Sequence, residues 1–277
     1  MALVINHNLM ALTAFNNLTR SYNALSKSVN RLSSGLRING ASDDAAGLAV
    51  RELMRSDVTV LNQGVRNAND AISMLQTMDG AASVIDEKLI RMKELAEQAA
   101  TGTYTSAQRT IMNNEFSQMR TEIDRIAQAT DFNGVKMLNS ATGTVTIHFG
   151  TGNDSSEDYY SIHMKDLTSG SNGLNTTGVT IASQASAQAA LTRLDSAITT
   201  KDTARAHFGA MMNRLQATVT NLTIQAQNIQ AAESQISDVD VAREMTTFIN
   251  NQIKAQTATA MLSQANMVPQ MAMKLIG

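Results

Sequence analysis

Hydrophobic positions along this chain recur at alternating steps of three and four, the spacing of one stripe on a helix that packs against another helix. Near the start, Phe15, Leu18, Tyr22, Leu25, Val29, Leu32 and Leu36 form such a stripe. A second run reads Val58, Leu61, Val65, Ala68, Ile72 and Leu75, falters near Asp79 and Gly80, and resumes through Ala82, Ile85, Leu89, Met92 and Ala96. It predicts one very long helix, loosened at Gly80. Met112, Phe116, Met119, Ile123 and Ile126 mark a third helix that ends before Asn133-Gly134. A fourth starts near Ser186 and carries Phe208, Met212, Leu215, Val219, Leu222, Ala226 and Ile229. The last stripe begins with Met245, Phe248, Ile249 and Ile253 and continues through Ala260, Met261 and Leu262 to Met271 and Leu275.

Between the third and fourth helices the period changes from that of a helix to that of a strand. Val145, Ile147 and Phe149 alternate with polar residues, as do Tyr160, Ile162 and Met164, and the stretch from Gly150 to Asp158 joins them into a β-hairpin. Seven of the fifteen glycines fall between Gly134 and Gly178, which makes this the main interruption of the helices. A second break, Arg37-Ile-Asn-Gly-Ala-Ser-Asp-Asp44, precedes the long helix, with Ser42 or Asp43 as its N-cap and the aspartates at its positive end. Short loops between long helices imply antiparallel neighbours. The expected fold is therefore mainly α, a long antiparallel helical bundle or coiled coil with a small central β-hairpin region.

The two ends carry no charge over nineteen residues each, before Arg20 and from Ala255 to Met273. One apolar stripe on an isolated helix buries too little to offset the entropy of ordering the backbone, so neither end should order except against the other or against copies of itself. The many Asn and Gln residues in both ends argue against a span in lipid. With Arg20 as the first basic residue, the start also lacks the pattern of a Sec-type signal.

Composition narrows the functional classes further. Aromatic residues make up only 4% of a chain that is 43% hydrophobic, which suits an elongated bundle of aliphatic and small side chains. The single proline, Pro269, leaves every earlier segment free to form long helices. Net charge is −2 with scattered Lys and Arg, so no nucleic-acid footprint exists, and the absence of cysteine excludes disulfides and thiolate metal sites. No H-E-x-x-H, phosphate-loop, dinucleotide or nucleophile-elbow pattern occurs, and His7, His148, His163 and His207 are too scattered for a zinc site. Asp43 and Asp44 form the best carboxylate pair, and helix capping explains them. The chain offers no foothold for catalysis or a cofactor.

The run Asn30-Arg-Leu-Ser-Ser-Gly-Leu-Arg-Ile-Asn-Gly-Ala-Ser-Asp-Asp-Ala-Ala-Gly-Leu-Ala49 resembles the signature of bacterial flagellin, with Asn39, Asp43, Asp44 and Gly47 as its marked positions. Met1-Ala-Leu-Val-Ile-Asn-His-Asn8, Asp131-Phe-Asn-Gly-Val-Lys-Met-Leu138 and Met261-Leu-Ser-Gln-Ala-Asn266 resemble further parts of the same family. The resemblance implies a secreted subunit that is exported through the flagellar type III channel and polymerises into the extracellular filament for motility. It implies a terminal coiled-coil domain, 1–44 plus 236–277, that forms the filament's inner tube. A helical-bundle domain, 45–235, with its hairpin near 140–183, would form the outer tube. Because the middle is short, this looks like a minimal flagellin with no large outer domain. The implied partners are further copies of the chain, an export chaperone, the filament cap and the hook-junction proteins, with no nucleic acid and no membrane insertion. The self-assembly seam would comprise Phe15, Leu18, Tyr22, Leu25, Val29, Leu32 and Leu36 with Met245, Phe248, Ile249 and Leu262. Arg91, Leu95 and Glu115 match the family's contact with the vertebrate flagellin Toll-like receptor, although Ile90 and Glu97 depart from the usual residues there; an ordinary solvated helix face or a contact between subunits explains Arg91 and Glu115 equally well.

Two rival readings share parts of this pattern. A hook-filament junction protein has flagellin-like ends, but the full signature from Asn30 to Ala49 favours the filament subunit. A chemoreceptor-like helical signalling protein would need a membrane anchor or an input domain, and the sequence shows neither.

Overall fold

The computed structural model describes residues 7–140 and 143–276, with side chains up to Met271. The first six residues of the N-terminal motif and the side chain of Leu275 lie outside the described residues. Five helices and two small sheets follow in order: α1 (Leu9–Ser34), α2 (Ala45–Ala100), α3 (Ser106–Ala129), β1 (Asp131–Phe132), β2 (Val135–Lys136), β3 (Thr144–His148), β4 (Tyr159–His163), α4 (Gln184–Ser237) and α5 (Val241–Ile276). The mainly helical reading with one small β region is what the structure shows.

Local chemistry sets the boundaries. Gly35, at φ 72°, stops α1 in the left-handed conformation, its N–H donating to the Arg31 carbonyl. Leu36, expected as the last rung of the first stripe, therefore lies past the helix and forms a β-bridge with Asp238. The N-cap of α2 is Asp44 rather than Ser42 or Asp43: its Oδ1 accepts from the Gly47 N–H at 2.9 Å. Thr105 and Gln108 close a capping box at the start of α3. A tight turn absent from the sequence reading links β1 to β2, with Asn133 and Gly134 both at positive φ, 51° and 79°, as a two-residue hairpin requires.

The chain divides into two compact units, one comprising the residues up to Ser56 and from Asn228 on, the other Asp57–Gln227. In the second unit, α2 buries Leu61, Gly64, Ala68, Ala71, Leu75, Met78, Ala82, Ile85, Leu89, Met92, Ala96 and Ala99 along one unbroken line of threes and fours. The expected weak point at Gly80 does not exist. Met78 and Ala82 are fully buried on either side of it, and Gly80 itself faces outward. The apparent falter came from following the larger residues Val58, Val65 and Ile72, which are only half-buried, one position away from the true line through Gly64, Ala71 and Met78.

From α4 the same core receives Ala187, Ala190, Leu194, Ala197, Ala204, Phe208 and Leu215, and from α3 Phe116, Ile123 and Ala127. The expected hairpin is present, with Val145 opposite Ile162 and Ile147 opposite Tyr160. It is held to α2 by the Asn67 amide, which donates to the His148 carbonyl at 2.8 Å, and by Gly64, where any Cβ would collide with the Phe149 carbonyl. On the other side the Arg214 guanidinium lies 3.7 Å over the Tyr160 ring.

Candidate functional site

The terminal helices form the candidate site, because their side chains divide cleanly into an inward and an outward set. α1 and α5 run antiparallel. Arg31 lies 3.6 Å from Glu244 near one end, and Asn8 donates from Nδ2 to the Ala265 carbonyl, 2.8 Å away, near the other. Between these points α1 turns inward Ala11, Ala14, Leu18, Ser21, Leu25, Ser28 and Leu32, and α5 turns inward Phe248, Asn251, Ala255, Ala258, Leu262 and Ala265. Both lines alternate threes and fours, so α1 and α5 form a two-helix coiled-coil seam within one chain, most of its side chains half-buried.

Asn8 has a double role. Its side-chain oxygen accepts from the Ala11 N–H and caps α1, while its amide serves the Ala265 carbonyl. That carbonyl lacks its usual intrahelical donor because the residue four positions on is Pro269, which sits inside α5 and has no N–H.

The residues expected in the assembly seam are shared between the two sets. Leu18, Leu25, Leu32, Phe248 and Leu262 face the partner helix. Phe15, Tyr22 and Val29, spaced by heptads, remain 54%, 53% and 47% exposed, and Met245 and Ile249 are 42% and 47% exposed. A groove of about 520 Å³ runs beside the pair, lined by Leu9, Met10, Thr13, Ala14, Asn17, Thr257, Ala258 and Met261. Sequence periodicity found the seam residues Phe15 to Leu32 with Met245, Phe248, Ile249 and Leu262, but neither the groove nor which of the seam residues the chain covers for itself.

The signature residues build a clamp at the α1–α2 break. Asn39 donates from its amide to the Ser34 hydroxyl at 2.8 Å and to the Asn30 carbonyl at 3.2 Å. Its backbone N–H donates to Asp43, which also holds Lys27 at 2.6 Å. The hydrogen bond from Lys27, helped by that N–H, keeps the Asp43 carboxyl below the usual carboxylate range. A Cβ at Gly47 would strike the Asp44 carboxylate and Ile38, and Ile38 is buried there with its carbonyl accepting from Arg51 at 2.6 Å. The break before α5 joins this clamp, with Arg37 N–H donating to the Ser237 carbonyl and Val239 N–H to that of Gly35.

Elsewhere Arg91 pairs with Glu115 at 2.8 Å and Glu94 at 3.0 Å on an open surface, and these carboxylates raise the pKa of its guanidinium. Leu95 belongs instead to the core, at 2% exposure, so this conformation does not offer it to a partner. Sequence reasoning missed an ion ladder joining α2 to α4, in which Asp79, Asp86 and Lys93 meet Arg205, Lys201 and Asp195. Lys201 is 2% exposed and sits on the inward line of α4 between Ala197 and Ala204. Burial opposes its charge, and hydrogen bonds to Asp202 and Asp86 more than restore it, so its pKa lies above that of a free lysine. The one charged residue on an otherwise apolar heptad line was the available signal. Among the described residues no group of three metal-ligating side chains occurs, and no helix is long and apolar enough to cross a membrane.

Comparison with known proteins adds an independent line. Residues 5–142 match the bacterial flagellin N-terminal helical region and residues 191–276 the bacterial flagellin C-terminal helical region. A flagellin of Halalkalibacterium halodurans is 39% identical over 99% of this chain and all of the relative. The flagellar filament 33 kDa core protein of Treponema phagedenis is 38% identical over the same shares. The crystal structure of Bacillus cereus flagellin superposes with a TM-score of 0.51 at 35% identity, covering 61% of this chain and 94% of that one.

Proposed function

The chain belongs to the bacterial flagellin family and is a structural subunit of the flagellar filament, and on that premise we propose that the outward faces of α1 and α5 are its polymerisation surfaces. One observation carries the proposal. The pairing of α1 with α5 covers one stripe of α1, yet Phe15, Tyr22 and Val29 form a heptad-spaced apolar line on the flank of that stripe and stay about half exposed. Such a line on a half-covered helix fits another helix of the same character, and a homopolymer supplies one from each neighbouring copy. Leu18, Leu25, Leu32, Phe248 and Leu262 then hold the pair together, and Phe15, Tyr22, Val29, Met245 and Ile249 hold subunit to subunit. The clamp of Asn39, Asp43, Asp44 and Gly47 fixes where α1 leaves off and α2 begins.

The rest of the reading follows the family. The protein acts without catalysis, leaves the cell through the type III export channel, and works outside it as filament, meeting an export chaperone, the filament cap and hook-junction proteins on the way. Arg91 and Glu115 are the surface a host receptor would meet.

Seeded assembly followed by electron microscopy tests the polymerisation surfaces. Monomer added to filament fragments should elongate them, and Tyr22→Asp should abolish elongation while leaving the helix content of the monomer unchanged. Leu25→Asp should abolish it too, with loss of helix content from the terminal pair. Normal filaments from Tyr22→Asp would overturn the assignment of the outward face.

A further inference from the structure

The methionines of this chain are segregated by exposure. Among the described side chains, those of Met10, Met245, Met261, Met267 and Met271 are 42–55% exposed, and all five lie on α1 and α5. Met74, Met78, Met92, Met137 and Met164 are buried in the core of the second unit, and the remaining described methionines are half-buried. Met10 and Met261 both line the apolar groove beside the helix pair. Thioethers in such positions are open to oxidants while the chain is free, and each sulfoxide places a polar, chiral group on an otherwise apolar contact face.

We propose that these five methionines make subunit addition sensitive to oxidation. The proposal rests on the reading that the outward faces of α1 and α5 meet other copies of the chain. A peroxide transfers one oxygen to the methionine sulfur; the O–O bond breaks, the sulfur loses two electrons, and the second oxygen leaves as water. The oxidised chain then has to carry its S=O groups into the subunit contact without a donor to meet them, and it no longer adds. Once a chain is incorporated, the same contact covers the thioethers and slows their oxidation. The reaction is reversible by methionine sulfoxide reductases, so the block is a switch on the free subunit and not a lesion of its core.

The test uses the full chain, filament fragments as seeds and hydrogen peroxide as oxidant, with peptide mass spectrometry to place each added oxygen. The five exposed methionines should oxidise well before the buried ones, and more slowly in filaments than in free chain. Oxidised chain should elongate seeds on the order of tenfold more slowly or worse, the factor expected when an unpartnered polar group enters an interface. Treatment with both reductase types should restore the untreated rate, and a variant with Leu at all five positions should elongate equally well before and after peroxide. Undiminished elongation by chain oxidised at these five sites would overturn the proposal, as would a loss that reduction does not reverse. Failure of the untreated chain to elongate seeds would instead remove the polymerisation reading on which it stands.

Discussion

On α2 the heptad line from Leu61 to Ala99 is covered along its whole length by residues of the same unit, whereas on α1 the line through Phe15, Tyr22 and Val29 is left half-open. Both helices are amphipathic, so the difference lies in how many faces are supplied with neighbours. The second unit surrounds α2 with α3, the hairpin and α4, and adds the ion ladder of Asp79, Asp86 and Lys93 to fix the register of α4. The terminal unit gives α1 one partner, α5, and most of the inward residues there are alanine, serine or leucine, with Phe248 the one inward aromatic, while Phe15, Tyr22 and the exposed methionines turn out. A closed core and an open pair can thus be written with the same spacing. Burial is decided by the size and placement of residues between the rungs.

The sharpest way to break the comparison is to damage the closed unit and see whether the open one notices. Phe208→Ala removes a fully buried ring and should cost about 3–5 kcal/mol of stability in the second unit, read by calorimetry. Hydrogen exchange in α1 and α5 should stay at its native level; loss of protection there would mean that the two units fold as one.

A smaller effect is expected at the end of the terminal pair. Asn8→Ala removes both the cap of α1 and the donor to Ala265, at roughly 1–2 kcal/mol. Asn8→Asp keeps the cap acceptor and loses only the donor, so exchange should rise around Ala265 while the first turn of α1 stays protected. Equal exposure of both sites in the two variants would contradict the double role.

Acid should separate the units most gently. Burial, with Lys165 and His163 nearby, pushes the His207 imidazole below its ordinary pKa, so its contribution to the second unit is complete above about pH 6.5 and is lost as pH falls through the folded value. Asp43 is a depressed carboxyl, and its contribution to the clamp is complete above about pH 4 and lost as pH falls through its own lower folded value. Melting curves between these ranges should show the second unit softening first, and His207→Gln should erase that early phase without altering the clamp.

How much of this was legible before the structure differs from residue to residue. The five helices and the hairpin follow from period alone, because steps of three and four and steps of two cannot satisfy one another. The true line of α2 was hidden because its rungs at Gly64 and Ala71 are small. A hydrophobicity reading prefers Val65 and Ile72, while the fold prefers Gly64 because the hairpin backbone must come close. Leu36 and the cap at Asp44 show the usual uncertainty of helix ends, settled here by Gly35 and by a single carboxylate hydrogen bond. Which side of the terminal stripe turns inward depends on the partner helix 257 residues away, between Asn8 and Ala265, and no local pattern contains that information.

That long-range bond also works as a check on length. Asn8 can satisfy the carbonyl that Pro269 leaves open only when the chain has been made through its last helix, so a truncated copy ending before Ala265 arrives with its first cap unanchored. One amide and one proline thus tie the first turn of the first helix to the last turns of the last helix across 257 residues of sequence.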